Sequence, residues 1–201
     1  MSVPAAGSTE SVSRRSYVAL VHHPVYDKQQ QVVSTAVTNL DIHDIARSCC
    51  TYGVAGYYVV HPVAAQRQLV ERILGYWDEG PGQNQNDFRR EALSHVRVVA
   101  TMDEAVAAIH REHGMRPLVV GTTARPSVSA VAAPQFRAEL EQSARPLLLV
   151  MGTGWGLTNE FMSQVDRVLE PIQGRAPYNH LSVRSATAIM LDRLFAEEAG
   201  T

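Results

Sequence analysis

The sequence predicts an α/β fold with a mainly parallel sheet flanked by helices, and three observations carry that prediction. Short apolar runs recur along the 201 residues without the polar alternation of a half-exposed strand, which is the pattern of strands covered on both faces. Segments of 3.6-residue periodicity separate these runs, giving an alternation of strand and helix that calls for parallel pairing. A glycine-spaced turn, Gly152-Thr153-Gly154-Trp155-Gly156, follows the fifth run and not the first. The usual open dinucleotide fold places its G-x-G-x-x-G fingerprint after its first strand, so this turn belongs to another architecture.

Residues 1–16, MSVPAAGSTESVSRRS, are small and polar and predict a disordered tail, leaving one domain over 17–198. The predicted strands are 17–22, 56–60, 96–100, 117–123 and 146–152, with a last short one in 166–172. A helix over 39–53 sets Leu40, Ile42, Ile45, Ala46 and Cys49 near one face and stops at Gly53. Further helices are predicted at 64–77, 102–114, 134–143 and 157–163. The helix at 181–198 is apolar around much of its girth, with Val183, Ala186, Ile189, Met190, Leu191 and Leu194, and needs cover on two sides. Residues 78–91 read as a long irregular connection, either a functional lid or a floppy loop.

Composition bounds the function. A formal charge of -2 gives no global attraction for a polyanion, so any RNA contact must be local. Lys28 is the only lysine; the remaining cations are arginines, reflecting either a coding bias or a use for two-pronged phosphate recognition. Cys49 and Cys50 are adjacent in a helix and have neither metal nor disulfide spacing, which suits a reducing cytoplasm. No signal peptide or membrane span is evident. His22 and His23 end the first strand where they can face a pocket, His110 and His113 read as solvated, and His61 and His95 read as structural. No histidine set has metal-ligand spacing, and no metal is expected. Asp44 reads as an ion-pair partner of Arg47 one turn on.

Three loops end consecutive strands: VVGTTAR (119–125), GTGWGL (152–157) and the stretch from PI (171–172) to YNHLSVRSATAIMLDRL (178–194). Ligands sit at such carboxyl ends in parallel sheets, and Ser182 is a natural N-cap for the helix that follows. Together with NLDIHDIAR, GYYVVHP and TTARP, these motifs resemble the SPOUT class of S-adenosylmethionine-dependent RNA methyltransferases over about residues 17–195. The likeness is in particular to its stand-alone bacterial domains, which in some bacteria also occur fused to tRNA guanine-N1 methyltransferase.

The resemblance implies a deep C-terminal trefoil knot and a bent cofactor held by three knot loops. On this chain the first loop is Thr122, Thr123, Ala124 and Arg125. The second is Gly152, Thr153, Gly154, Trp155, Gly156 and Leu157. The third runs from Ile172 through Tyr178, Asn179, His180, Leu181, Ser182 and Val183, with Ala186 one turn into the helix. It further implies Asn39, His43 and Arg47 as catalytic candidates. Asn39 and Arg47 match the first motif of the ribose 2'-O methylating branch, although a glycine common in that motif is replaced here by Ile42 or His43. RNA contacts are expected at Arg47, Arg89, Arg90, Arg125 and Arg184, with Arg47 and Arg125 meeting phosphate. The implied protein is a homodimer, joined through its knot region, acting on tRNA or rRNA. The alternatives are a non-catalytic S-adenosylmethionine-binding module that docks on RNA or on a partner methyltransferase, and a plain α/β binder of another nucleotide.

Overall fold

In the computed structural model, residues 12–83, 85–126, 129–176 and 178–197 are described. The elements follow as β1 (Ser16–Val21), β2 (Val25–Tyr26), β3 (Val32–Val33), α1 (Asn39–Thr51), β4 (Gly56–Val60), α2 (Ala64–Asp78), α3 (Asp87–Ser94) and β5 (Val96–Val99). Then come α4 (Met102–His113), β6 (Leu118–Thr122), β7 (Ala130–Val131), α5 (Ala133–Gln142), β8 (Leu147–Gly152), α6 (Asn159–Met162), β9 (Arg167–Leu169) and α7 (Val183–Phe195).

Seven strands form one sheet in the order β5-β4-β1-β8-β6-β9-β7, and its pairings are parallel throughout. Successive side chains on a strand point to opposite faces, so each apolar run feeds two cores. Val18, Leu20, Tyr57, Val59, Leu147, Leu149 and Met151 pack on one face against α1, α2, α3, α5 and α7. Tyr17, Ala19, Val21, Tyr58, Val60, Leu148 and Val150 pack on the other against α4 and α6. This double cover is why the runs show no alternation.

The wide apolar girth of the terminal helix is met within the chain: Met190, Leu191, Leu194 and Phe195 of α7 are buried in the core cluster shared with Ile42, Ile45, Phe136 and Leu140 of α1 and α5. Tyr52 just past α1 also donates to Asp192 of α7 at 2.9 Å. No helix among the described residues is long and apolar enough to cross a membrane.

Several expectations are corrected. Residues 1–11 lie outside the described residues, but Val12 and Ser13 are buried and β1 starts at Ser16, ahead of the expected boundary at 17. The segment 78–91 is not irregular to its end, because Asn86 caps Arg89 and opens α3 at Asp87. An antiparallel hairpin, β2 with β3, and the edge strand β7 were not anticipated. His113 is not simply solvated: its Nε2 hydrogen-bonds the Tyr17 hydroxyl at 2.8 Å.

Leu149 is fully buried in the central strand β8, and truncating such a leucine removes transfer energy and leaves a cavity. We expect Leu149→Ala to lower the unfolding free energy by about 3 kcal/mol, measured by urea denaturation. A loss below about 1 kcal/mol would place this residue outside the core.

Candidate functional site

The sheet ends β1, β8, β6 and β9 all release loops on one side, and a cavity of about 1200 Å³ opens there. Its walls include Thr122, Thr123, Ala124 and Arg125 after β6, and Gly152, Thr153, Gly154, Trp155, Gly156 and Leu157 after β8. Ile172, Asn179, His180, Leu181, Ser182, Val183 and Ala186 complete it from the segment leading into α7. Three loops distant in sequence therefore meet in one site. Tyr178 is outside the wall, with its ring 5.5 Å edge-on to His180.

The glycine loop is held in place by a neighbour that sequence patterning did not flag. The Trp155 amide donates to the Tyr26 carbonyl at 2.9 Å, and the Tyr26 amide donates to the Gly156 carbonyl at 2.9 Å. Gly154 has φ +58, and a Cβ there would lie 2.8 Å from the Tyr26 carbonyl oxygen and 3.3 Å from Thr35. Left-handed backbone and close approach both require glycine at that position. A Cβ on Gly152 would sit 3.0 Å from the Leu157 amide nitrogen, so this glycine lets the turn close.

Beneath the loop lies a partly buried polar chain. Thr35 Oγ1 shares hydrogen bonds with Thr153 Oγ1 at 2.5 Å and His22 Nδ1 at 3.1 Å. Thr153 Oγ1 donates to the Val21 carbonyl at 3.2 Å, and His61 Nε2 donates to the Thr35 carbonyl at 2.9 Å. The His22 and His61 rings stack at 5.3 Å. Burial first, and His61 second, lower the His22 pKa from 6.5 to about 4, against the opposing pull of its hydrogen bond to Thr35. Burial likewise lowers His61. Both rings are therefore neutral at pH 7 and act as hydrogen-bonding struts.

Across the cavity mouth, Asn179 donates to the Ala124 carbonyl at 3.0 Å and Arg125 to the Trp155 carbonyl at 3.3 Å. These bonds link the first loop to the third and to the second. Ser182 accepts from the Ser185 amide and caps α7, so the first turn of α7 faces the cavity with its positive end. Among the described lining residues Asp41 is the one carboxylate and Arg125 the one guanidinium. Asp41 is held by Thr38, whose hydroxyl donates at 2.6 Å, and by Arg184 at 3.4 Å.

The catalytic candidates lie on other sides of α1. Asn39 and His43 line a second cavity, of about 580 Å³, with Arg89. Arg47 is exposed on α1 and lines neither cavity. Asp44 pairs with Arg184 at 3.2 Å and not with Arg47, because α7 packs directly on α1 and brings the arginine across. Arg184 is thus shared between two carboxylates. Arg125 is exposed at the mouth of the first cavity, and Arg90 is half-buried on α3. Thr35 and Asp41 were missed by sequence reading. The Thr38-x-x-Asp41 spacing is a helix-start signal that marks Asp41; Thr35 sits in a polar stretch with no pattern to betray it. Among the described residues no three His, Cys, Asp or Glu side chains converge as a metal site.

Residues 15–196 match a family described as SAM-dependent RNA methyltransferase. The chain is 41% identical to an uncharacterized protein of Aquifex aeolicus, over 92% of this chain and 90% of that one. It is 46% identical to a tRNA (guanine-N(1)-)-methyltransferase of Nitratidesulfovibrio vulgaris over 92% of its own length, spanning 43% of that longer protein. The fold resembles the crystal structure of the A. aeolicus TrmH/SpoU tRNA modifying enzyme with a TM-score of 0.53 at 18% identity, covering 92% of this chain and 78% of that one. That likeness is one of fold.

The neutral histidine pair has a consequence for stability. The folded His22 value lies below the unfolded one, so the unfolded chain binds more protons between about pH 4 and 6.5, and stability is lost as pH falls through that window. Between pH 7 and pH 5 the wild type should lose on the order of 2 kcal/mol from this group, and His22→Gln should show a shallower loss. Equal losses of unfolding free energy in wild type and His22→Gln, from urea denaturation at the two pH values, would contradict the neutral strut.

Proposed function

The chain belongs to the SAM-dependent RNA methyltransferase family, and we propose that its three-loop cavity holds S-adenosylmethionine while the outer face of α1 meets the acceptor nucleotide of a tRNA or rRNA. The observation that carries this reading is the convergence of the loops after β6, β8 and β9 on one cavity of about 1200 Å³. Sites for ligands of this class run from a few hundred to about 1,000 Å³. The walls also fit the chemistry. A cofactor bearing an ammonium, a sulfonium, a carboxylate and an adenine needs both charge signs and bare backbone, and Asp41, Arg125 and the glycine loop supply them.

When bound, the cofactor supplies an activated methyl group. The protein's part is binding and alignment. Gly152 to Leu157 form the loop wall, and main-chain groups around Leu181 and Val183 serve the adenine edge. Thr122, Thr123, Ala124, Ile172, Asn179, His180, Ser182 and Ala186 enclose the rest, with Tyr178 and Trp155 at the rim. Asp41 serves the cationic end of the amino-acid moiety and Arg125 the anionic end. Methyl transfer depends chiefly on holding acceptor, methyl and sulfur in line, together with a group that favours the deprotonated acceptor. Asn39, His43 and Arg47 take that second role, and Arg89 and Arg90 contribute positive potential for phosphate, whereas Arg125 is committed to the cofactor and Arg184 to Asp41 and Asp44.

The active unit in this reading is a homodimer in the cytoplasm, with the terminal segment threaded as a knot. Supporting the dimer, Asn39 and Arg47 do not line the cofactor cavity of their own chain, and Leu40 and Leu181 are 58% and 47% exposed. A second subunit that covers these residues would bring its own α1 to the neighbouring cavity.

Calorimetry with S-adenosylmethionine and S-adenosylhomocysteine tests the cavity, and transfer of labelled methyl to bulk tRNA and rRNA tests the reaction. Both cofactor forms should bind. Gly154→Val should weaken binding at least tenfold, because the loop must shift off Tyr26, and Asp41→Asn should weaken it about tenfold through loss of a charged hydrogen bond. Arg47→Ala should cut transfer by about a hundredfold with cofactor affinity retained. Binding without transfer to any RNA would favour a docking module, and equal transfer by Arg47→Ala would remove Arg47 from the reaction.

A further inference from the structure

The second cavity, about 580 Å³, lies between α1, α2 and α3 and belongs to none of the three loops. Its floor is Trp77, which is 8% exposed. The Arg89 guanidinium stands 5.0 Å above the Trp77 ring, and His43 and Tyr76 meet the same ring edge-on at 5.8 and 5.5 Å. Tyr76 itself is 41% exposed. Arg72 adds a second cation to the rim. No carboxylate among the described residues pairs with Arg72 or Arg89, whereas Asp44, the acidic residue of the cavity wall, is engaged by Arg184.

We propose that this cavity takes one unpaired nucleotide of the substrate RNA, with its base against Tyr76 and its phosphate on Arg72 and Arg89. The inference rests on the RNA methyltransferase reading and names a recognition site for that substrate. Three features point to a nucleotide. Aromatic side chains offer a stacking surface to any base. Guanidinium groups without a carboxylate partner offer two-pronged contacts to phosphate. Asn39 and His43, which the proposed reaction brings to the acceptor, line the same cavity, so a nucleotide seated here lies next to the acceptor.

The chain's overall charge of -2 makes this local grouping of two arginines with aromatic rings the more informative. The position is apt as well. The first turn of α1 separates the two cavities, with Asn39 and Leu40 lining the second and Asp41 the first. A nucleotide seated in one is thereby registered against the other through a single rigid turn.

The chain has two tryptophans, Trp77 and Trp155, so Trp155→Phe leaves Trp77 as the only indole reporter. We expect its emission to be quenched saturably by bulk tRNA or by an unstructured ribo-oligonucleotide. Tyr76→Ala should weaken RNA binding about tenfold, and Arg72→Ala should reduce the salt dependence by about one phosphate contact. In the otherwise wild-type protein both should raise KM for RNA with kcat nearly unchanged and with cofactor affinity unaltered. RNA binding that leaves Trp77 unperturbed, or wild-type KM in both variants, would overturn the proposal. AMP or GMP saturating the site at micromolar concentration without competition from RNA would also overturn it, assigning the cavity to a free nucleotide. Failure of the wild type to methylate any RNA would instead remove the broader reading, and this inference with it.

Discussion

The cavity depends on one constraint: the loop after β8 must stay open and fixed, and the chain fixes it from below and from the side with the segment that leaves β1. Tyr26 exchanges backbone hydrogen bonds with Trp155 and Gly156, and Thr35 hydrogen-bonds Thr153 beneath them. Glycine at 154 is a consequence, since at φ +58 a Cβ would lie 2.8 Å from the Tyr26 carbonyl oxygen. The buried His22 and His61 follow too. A neutral imidazole can hydrogen-bond without the desolvation cost of a buried charge, and burial is the leading cause that keeps both rings in that form.

From this fixed loop the electrostatics are distributed in a simple way. Arg184 on α7 spans Asp41 and Asp44 on α1, which joins the last helix to the first and sets Asp41 in the cavity wall. Arg125 reaches from the loop after β6 to the Trp155 carbonyl and lies over the Tyr26 ring at 5.9 Å. The first cavity therefore carries one charge of each sign. Arg72 and Arg89 gather with Tyr76 and Trp77 at the second, on the other side of the first turn of α1. Two cavities of different chemistry, separated by one turn of helix, suit a protein that must hold a methyl donor and an RNA in fixed relation.

Much of the fold was legible in the sequence because burial on both faces leaves a pattern that short windows detect: β1, β4, β5, β6 and β8 each lie within a residue or so of their apolar runs. The hairpin was not, because β2 and β3 are two residues each and enclose polar DKQQQ, with no period to read. The helix α3 was obscured by its eight residues and largely polar composition. At the site, glycine spacing and the motifs before α7 were visible as local chemistry. Thr35 and Asp41 were not recognised, since what gives each its place is a contact with Thr153 or Arg184 more than a hundred positions away. Likewise Asn39 and His43 showed as neighbours of Arg47 on a helix, and only the packing of α2 and α3 puts them beside Trp77.

In the proposed function, three loops distant in sequence act as one cofactor site. Amide hydrogen exchange with and without S-adenosylmethionine tests it most directly. Exchange should slow together in residues 122–126, 152–158 and 178–186, with 25–35 following because they support the middle loop, and change little around 72–77. Protection confined to one of the three loops, or centred on α2 and α3, would contradict it.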